Sequence, residues 1–250
     1  MPIAVIYWVA SDIQKDRWRK VASVGAFERV IGKRSEPVDS VWLAEHSRRY
    51  GAVELDIGTG DGRYVLDAAR ADPERLVIGV DAVAGNMVGS ARKASASTRK
   101  GGLENAVFFR GGAEQFPGPF AGLADWVTIN YPWGSLMRIV AEPDTDALRC
   151  IRESCKLGAR LHIFLNYTVI LDRPYLERLG LGALVDPVDN PSLHSAYEDA
   201  GFVIQGCQVF AGDPPVRTRW GRQLVRGAAR QTLSIEATAG VAGGSRWDET

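Results

Sequence analysis

The most constraining feature of the sequence is a glycine-rich turn between a buried strand and a helix. After the apolar run 53–57 come three glycines at alternate positions, Gly58, Gly60 and Gly62, and a helix-period segment follows at once. Glycine here lets the backbone turn sharply and lets a ligand approach without a Cβ in the way. The feature predicts a ligand site at the carboxyl end of a strand in an α/β sheet.

Short apolar runs and helix-period segments alternate along the rest of the chain. Helices are predicted at 62–70, 84–97 and 148–155, the last ending at Leu157-Gly158, and strands at 53–57, 76–80, 106–110, 126–130, 160–167, 202–210 and 232–237. Such alternation is typical of a parallel sheet with helices on its faces. The prediction is therefore a seven-stranded, mostly parallel, Rossmann-like α/β fold.

Length and composition limit the class of protein further. The 250 residues are 46% apolar and carry 30 basic and 30 acidic groups, which suits a globular chain and excludes collagen-like, coiled-coil and wholly disordered ones. Three cysteines without nearby histidines indicate neither disulfides nor a metal site. Without a signal peptide or an apolar run of about 18 residues, the chain is expected to be cytoplasmic. Residues 1–25 are predicted to be an extension of unknown role, 26–238 the folded domain, and 239–250 a disordered tail.

The next predicted strand supplies an acidic partner for the glycine turn. Asp81 lies 23 residues after Gly58, where a carboxylate suits the two hydroxyls of a ribose. The spacing is G-x-G-x-G, with Arg63 at the third glycine of a dinucleotide fingerprint, so NAD is disfavoured. Asp56 and Asp61 would repel phosphates but attract the ammonium and sulfonium groups of S-adenosylmethionine. After the third strand, Ala113 and Glu114 are candidates for the adenine, although a plain loop with a solvated Glu114 is equally open.

Aromatic and basic residues point to a nucleic acid as the second substrate. Trp133 follows the fourth strand beside Pro132, facing the crevice at the carboxyl ends of the strands, where it offers a flat surface for a base. Trp220 stands within an arginine-rich segment, and further cations cluster at Arg92, Lys93, Arg99, Lys100 and Arg110. A pocket wall and a solvated helix face are the plainer interpretations, but together the two features favour an extruded base held between aromatic rings.

At this point several segments match one family in combination. They are Asp56 through Arg63, Gly101 through Asn105, Ala113-Glu114, Pro132 through Leu136, and Trp220 with Arg222 and Leu224. The chain resembles the Kam/NpmA group of aminoglycoside-resistance methyltransferases over about residues 27–237, including Val30 through Lys33, where that family begins with a β-hairpin. The resemblance implies a class I S-adenosylmethionine-dependent methyltransferase. Its expected reaction is methylation of N1 of adenine 1408 of 16S ribosomal RNA in the assembled small subunit, by a monomer, giving kanamycin and apramycin resistance.

The resemblance also implies a role for individual residues. The flipped adenine would lie between Trp133 and Trp220. S-adenosylmethionine would be held by Asp56, Gly58 and Asp81, its adenine end by Ala113 and Glu114, and its methionine part would lie near Ser135 and Thr218. Thr59, Gly60 and Asn130 are further candidates for the same cofactor site. Cations facing ribosomal RNA phosphates would be Arg92, Lys93, Lys100, Arg222 and Arg230.

Three positions depart from the family pattern. Asn130 replaces a usually apolar residue, and Gln223 and Ala228 replace usual cations. Asn130-Tyr131-Pro132-Trp133 also resembles the Asn-Pro-Pro-Tyr element of amino-group methyltransferases, so N6 methylation stays a minor alternative. A small-molecule methyltransferase and a catalytically silent RNA-binding module are the competing classes. Because N1 of adenine carries no proton at neutral pH, methylation there needs no general base, and proximity and orientation are expected to suffice.

Overall fold

The computed structural model describes residues 27–167, 172–178, 186–212, 216 and 231–240. Within them, nine strands form one sheet in the order β2-β1-β5-β4-β3-β6-β7-β9-β8. The strands are β1 (Glu28–Ile31), β2 (Arg34–Pro37), β3 (Ala52–Ile57), β4 (Arg75–Asp81), β5 (Ala106–Arg110), β6 (Ala124–Asn130), β7 (Cys155–Asn166), β8 (Phe202–Ala211) and β9 (Gln231–Ala239).

Helices cover both faces of the sheet. In the described ranges they are α1 (Ser40–Ser47), α2 (Arg63–Ala71), α3 (Ala84–Ala94), α4 (Gly134–Ala141), α5 (Thr145–Glu153), α6 (Arg173–Arg178) and α7 (Pro191–Asp199). Side-chain caps fix where some of them begin: Asp39 accepts hydrogen bonds from the backbone of Val41 and Trp42, and Asp144 accepts one from Ala147. No helix in the described part of the chain is long and apolar enough to cross a membrane.

The predicted Rossmann-like α/β class is confirmed, but the strand count was wrong by two. Strands β5, β4, β3, β6 and β7 pair in parallel, and the other four strands join them antiparallel. The additional strands are the hairpin β1–β2, whose turn contains Gly32, at the place where the family resemblance implied one. Strand β2 is exposed throughout and polar, so no apolar alternation marks it as a strand.

The region around residue 155 was also assigned wrongly from the sequence. Helix α5 ends at Glu153, and β7 begins at Cys155 instead of 160, so Leu157-Gly158 lies inside a strand. Pairing shifts register between Ala124 and Trp126, which accommodates this irregular stretch and the positive φ of 78° at Gly158. Helix α3 is shorter than predicted and ends at Ala94.

The strands put alternate side chains into two apolar layers. Leu55 of β3 packs into the larger core with α1, α4, α5 and α7, whereas Val77 and Phe108 pack with α2 and α3 on the opposite face. Because side chains alternate along a strand, Glu54 and Asp56 point away from the larger core. The carboxyl end of β3 thus presents polar groups on one face of the sheet.

Strand β9 runs through Ala239, the first residue of the predicted tail, and Arg152 Nε donates a hydrogen bond to the Gly240 carbonyl at 2.9 Å. The rest of the predicted tail and the predicted extension of residues 1–25 lie outside the described residues.

Candidate active site

A cavity of about 300 Å³ opens where β3, β4 and β6 end and where the loop after β5 begins. It brings together residues that the sequence selected from four separate segments. Its lining includes Asp56, Gly58, Thr59, Gly60, Asp81, Ala113, Glu114, Asn130, Trp133 and Ser135. The remaining two members of the predicted sets for cofactor and base, Thr218 and Trp220, lie outside the described residues.

Two glycines of the turn are required by close packing against neighbouring side chains. Gly62 has φ of 69° and caps α2, and a Cβ there would lie 2.5 Å from the Phe108 ring. Gly58 has φ of 76°, and a Cβ there would lie 2.6 Å from Leu136. Any larger residue at either position would strain the backbone and push into neighbouring side chains.

Asp81 fastens the end of β4 to the glycine turn. Its Oδ2 accepts a hydrogen bond from the Gly60 amide at 2.9 Å, and its Oδ1 accepts one from the Val83 amide at 2.8 Å. The carboxylate lines the cavity, and an oxygen has more than one acceptor direction. Its role toward a ribose stays a prediction.

Asp56, near the carboxyl end of the neighbouring strand β3, has a different environment. It is almost fully buried, and its Oδ1 accepts hydrogen bonds from Thr128 Oγ1 at 3.1 Å and Asn130 Nδ2 at 2.8 Å. Burial raises the pKa of Asp56 to about 7; the charge of Glu54 adds to this rise, and the side chains of Thr59, Asn130 and Thr128 oppose it.

Sequence reasoning missed a buried network beside Asp56. Glu54 is 1% exposed and accepts hydrogen bonds from Tyr64 Oη at 2.6 Å and Arg75 Nη1 at 2.7 Å. Tyr64 lines the cavity, and its pKa is raised by burial and by the charges of Glu54 and Asp56. The period-two pattern of β3 was the available signal, since it places Glu54 and Asp56 on one face.

Trp133 stands at the cavity on a constrained backbone. Tyr131 has a positive φ of 51°, unusual for a residue with a Cβ, and its ring stacks on Phe164 with centroids 6.3 Å apart. Trp133 packs against this pair, half-buried, directly before α4. Strain of this kind persists only where packing enforces it, so packing holds the backbone that leads into Trp133.

Helix α3 and the turn after it carry three of the cations predicted to face ribosomal RNA. Arg92, Lys93 and Lys100 are exposed, and none forms a salt bridge with another described residue. Arg110, by contrast, is paired with Glu28 at 3.1 Å. The other two predicted cations, Arg222 and Arg230, lie outside the described residues.

The cavity fits the amino-acid end of S-adenosylmethionine. Among the described residues that line it, four have a buried oxygen without a hydrogen-bond partner; one of these oxygens, Asp61 Oδ2, is ion-paired with Arg63 Nε at 3.3 Å, and the other three are Asp56 Oδ2, Thr59 Oγ1 and Asn130 Oδ1. All three can accept from an ammonium group, which is a pure donor. In the same ranges no group of three or more potential metal-ligating side chains occurs.

Comparison with known proteins agrees with this geometry. A family model described as NpmA, 16S rRNA (adenine(1408)-N(1))-methyltransferase, matches residues 28–239. A protein of that description from Streptoalloteichus tenebrarius is 32% identical over 78% of this chain and 91% of its own length. One from Escherichia coli is 32% identical over 77% and 90%.

Solved structures are similar over nearly their whole length. The aminoglycoside resistance methyltransferase NpmB1 superposes with a TM-score of 0.75 at 35% identity, covering 85% of this chain and 99% of that one. A mutant 16S rRNA (adenine(1408)-N(1))-methyltransferase from Catenulisporales acidiphilia, with cosubstrate SAM, gives a TM-score of 0.79 at 29% identity, covering 88% and 100%. The expected resemblance is confirmed, and this chain belongs to the NpmA family of 16S rRNA (adenine(1408)-N(1))-methyltransferases.

Proposed function

We propose that this protein transfers the methyl group of S-adenosylmethionine to N1 of adenine 1408 of 16S ribosomal RNA and thereby confers aminoglycoside resistance, including to kanamycin and apramycin. The observation that carries the proposal is the position of Trp133 on the wall of the glycine-turn cavity, in a chain of this family. We further propose that it acts as a monomer on the assembled small subunit in the cytoplasm.

The cofactor, when bound, supplies an electrophilic methyl group. Asp56, Thr59 and Asn130 would receive its ammonium group, and Ser135 would lie near the same end. Asp81 would accept from the ribose hydroxyls, while Ala113 and Glu114 would border the adenine. Thr218 completes this set as a proposal from the sequence.

The chain's contribution to the reaction is orientation. Because adenine N1 has a free lone pair at neutral pH, no residue needs to remove a proton, and the rate depends on the alignment of N1 with the methyl group. Trp133 offers its indole face to the extruded base from a backbone that packing holds in place, and Trp220 is proposed to cover the other face. The methylated base is a cation, which an indole face also stabilises.

Exposed cations extend the proposed RNA contact away from the cavity. The first turn of helix α3 contains Asn86, which lines the cavity. Arg92 and Lys93 lie in the last turn of the same helix, about 10 Å from Asn86 along the helix axis. Unpaired cations at this distance suit phosphates that flank an extruded nucleotide. Lys100, Arg222 and Arg230 are proposed to act in the same way.

The test is methylation of purified small ribosomal subunits, with Trp133→Ala and Trp220→Ala compared with the wild type. Each alanine variant is expected to lower the methylation rate at least 100-fold, because the base loses a stacking face worth about 1–3 kcal/mol and its alignment as well. Binding of S-adenosylhomocysteine, measured by titration calorimetry, should change less than about threefold. Trp133→Phe keeps a flat ring and should retain part of the rate.

Two results would reject the proposal. One is methylation of small subunits by Trp133→Ala at the wild-type rate. The other is failure of the wild type to methylate them while it methylates a small molecule, which would favour the competing class. Mapping the modified atom separates N1 from N6 methylation, and drug susceptibility of cells that express the protein tests resistance.

A further inference from the structure

Besides Asp61, which is ion-paired with Arg63, three residues that line the cavity each carry a buried oxygen without a hydrogen bond of normal geometry in the described parts of the chain. They are Asp56 Oδ2, Thr59 Oγ1 and Asn130 Oδ1, and the Thr59 hydroxyl lies close enough to Asp56 to favour its ionised form. Buried polar atoms in folded proteins are normally hydrogen-bonded, because losing water without a replacement costs free energy. Their coincidence in a cavity wall points to donors supplied by a ligand.

The amide of Asn130 can present only one of its two ends to such a ligand. Its Nδ2 donates to Asp56 Oδ1 at 2.8 Å, so its Oδ1 is left as a free acceptor. A reversed amide would place an acceptor oxygen against the carboxylate and lose this hydrogen bond. Asp56 therefore fixes the direction in which Asn130 accepts.

The sheet holds this arrangement in place. Asn130 is the last residue of β6, and the pairing of β6 with β3 sets Asp56 opposite Thr128. Thr128 and Asn130 are two residues apart on one strand, so their side chains share a face and both reach Asp56 Oδ1. Asp56 Oδ2 and Asn130 Oδ1, both on residues that line the cavity, are thereby left without a partner in the sheet.

We propose that Asn130 is a specificity-determining residue of the cofactor site, which forms with Asp56 a pair of acceptors that selects ligands carrying an ammonium group at the amino-acid end. An ammonium group has three donors and no acceptor, so it satisfies both oxygens and has one donor left for Thr59. A ligand without that group leaves both oxygens buried and unpaired, and a site of this kind rejects such a ligand strongly. The identity of the ligand rests on the proposed function.

The test compares two ligands that differ only in the ammonium group. S-adenosylhomocysteine and its deaminated analogue, in which hydrogen replaces the amino group, are titrated by calorimetry into the full-length protein at pH 8.5, where Asp56 is ionised. Asn130→Ala and Asn130→Leu are each expected to weaken S-adenosylhomocysteine about tenfold or more, as the loss of a hydrogen bond to a charged group implies. Affinity for the deaminated analogue should change less than about twofold.

Thr128→Val is the matched control. It removes a donor to the same carboxylate oxygen of Asp56 but no free acceptor, so its effect on S-adenosylhomocysteine should be clearly smaller than that of Asn130→Ala. An equal loss in the two variants would overturn the proposal, because it would mean that Asn130 acts only by supporting Asp56. An equal loss for both ligands would overturn it as well.

This experiment contains no RNA, so its outcome is independent of the substrate proposed above. A changed ligand preference without methylation of small subunits would leave this inference standing and reject the proposed function. If the wild type methylates small subunits but the Asn130 variants keep the wild-type preference for S-adenosylhomocysteine over its deaminated analogue, the proposed function stands and this inference is rejected.

Discussion

Asp81 and Asp56 line the cavity from the carboxyl ends of two neighbouring strands, β4 and β3, and each is bound to the protein in a different way. Both oxygens of Asp81 accept hydrogen bonds from backbone amides, those of Gly60 and Val83. Asp56 accepts only from side chains: its Oδ1 accepts from Thr128 and Asn130, while its Oδ2 has only the nearby Thr59 hydroxyl and no hydrogen bond of normal geometry among the described residues. The hydrogen bonding of Asp81 is complete without a ligand, and that of Asp56 is not.

This difference separates a structural carboxylate from one kept for binding. The backbone amides that donate to Asp81 are held in place by the fold, so these hydrogen bonds stabilise the glycine turn whether or not a ligand is bound. Burial of the ionised Asp56 without full compensation costs folding free energy, and that cost is removed when a cation binds or when the carboxyl group is protonated. Replacing Asp56 should therefore raise the stability of the folded protein and lower its affinity for the cofactor. Replacing Asp81 should lower both.

The largest expected effect is on the pH dependence of cofactor affinity. The pKa of Asp56 is raised to about 7, and an ammonium group binds its ionised form, so S-adenosylhomocysteine should bind about 100-fold more weakly at pH 5 than at pH 8. The Asp56→Asn variant should bind S-adenosylhomocysteine weakly at both pH 5 and pH 8, so its affinity should not depend on pH in this range. The Asp81→Asn variant should keep the pH dependence of the wild type. Calorimetric titration across this range measures the slope, and a flat profile in the wild type would contradict the account of Asp56.

Protein stability should change with opposite sign in the same two variants. A raised pKa means that the stability contributed by Asp56 is present at low pH and is lost as pH rises through about 7. Asp56→Asn should thus raise the thermal unfolding temperature of the ligand-free protein at pH 8, and by less at pH 5.

Asp81→Asn should instead lower the unfolding temperature at both values. An amide nitrogen would replace an oxygen that accepts from the backbone, a loss of about 1–3 kcal/mol. Differential scanning calorimetry measures the unfolding temperature of both variants. A change of the same sign in Asp56→Asn and Asp81→Asn would contradict the different roles assigned to the two aspartates.

The two aspartates also differ in how far the sequence alone predicts their surroundings. The turn and Asp81 follow from local signals: glycines at alternate positions, an apolar run on each side, and an acid at the end of the next strand. All the predicted cofactor residues in the described part of the chain line the cavity. Their contacts with a bound cofactor stay predictions.

The surroundings of Asp56 depend on partners far away in sequence. Asn130 is 74 residues from Asp56, and its contact depends on the register of β3 and β6, which side-chain packing sets across the whole sheet. The ion pair of Glu54 with Arg75 depends in the same way on β3 and β4 lying side by side. Local periodicity predicts that Glu54 and Asp56 share a face, but not which groups they meet there.

The smallest expected effect concerns this network and sharpens the account of Asp56. Glu54→Gln removes a negative charge that raises the pKa of Asp56, so the midpoint of the pH profile for S-adenosylhomocysteine binding should move to lower pH. Thr128→Val removes a hydrogen bond that favours the ionised carboxylate, so its midpoint should move to higher pH.

Because the two variants alter neighbours of Asp56 and not the aspartate itself, opposite shifts assign the titration to this carboxyl group. Shifts of one sign in both variants would assign it to another group of the cavity. At pH 8.5, well above both midpoints, Glu54→Gln should bind within about threefold of the wild type, since Asp56 is then ionised in each protein.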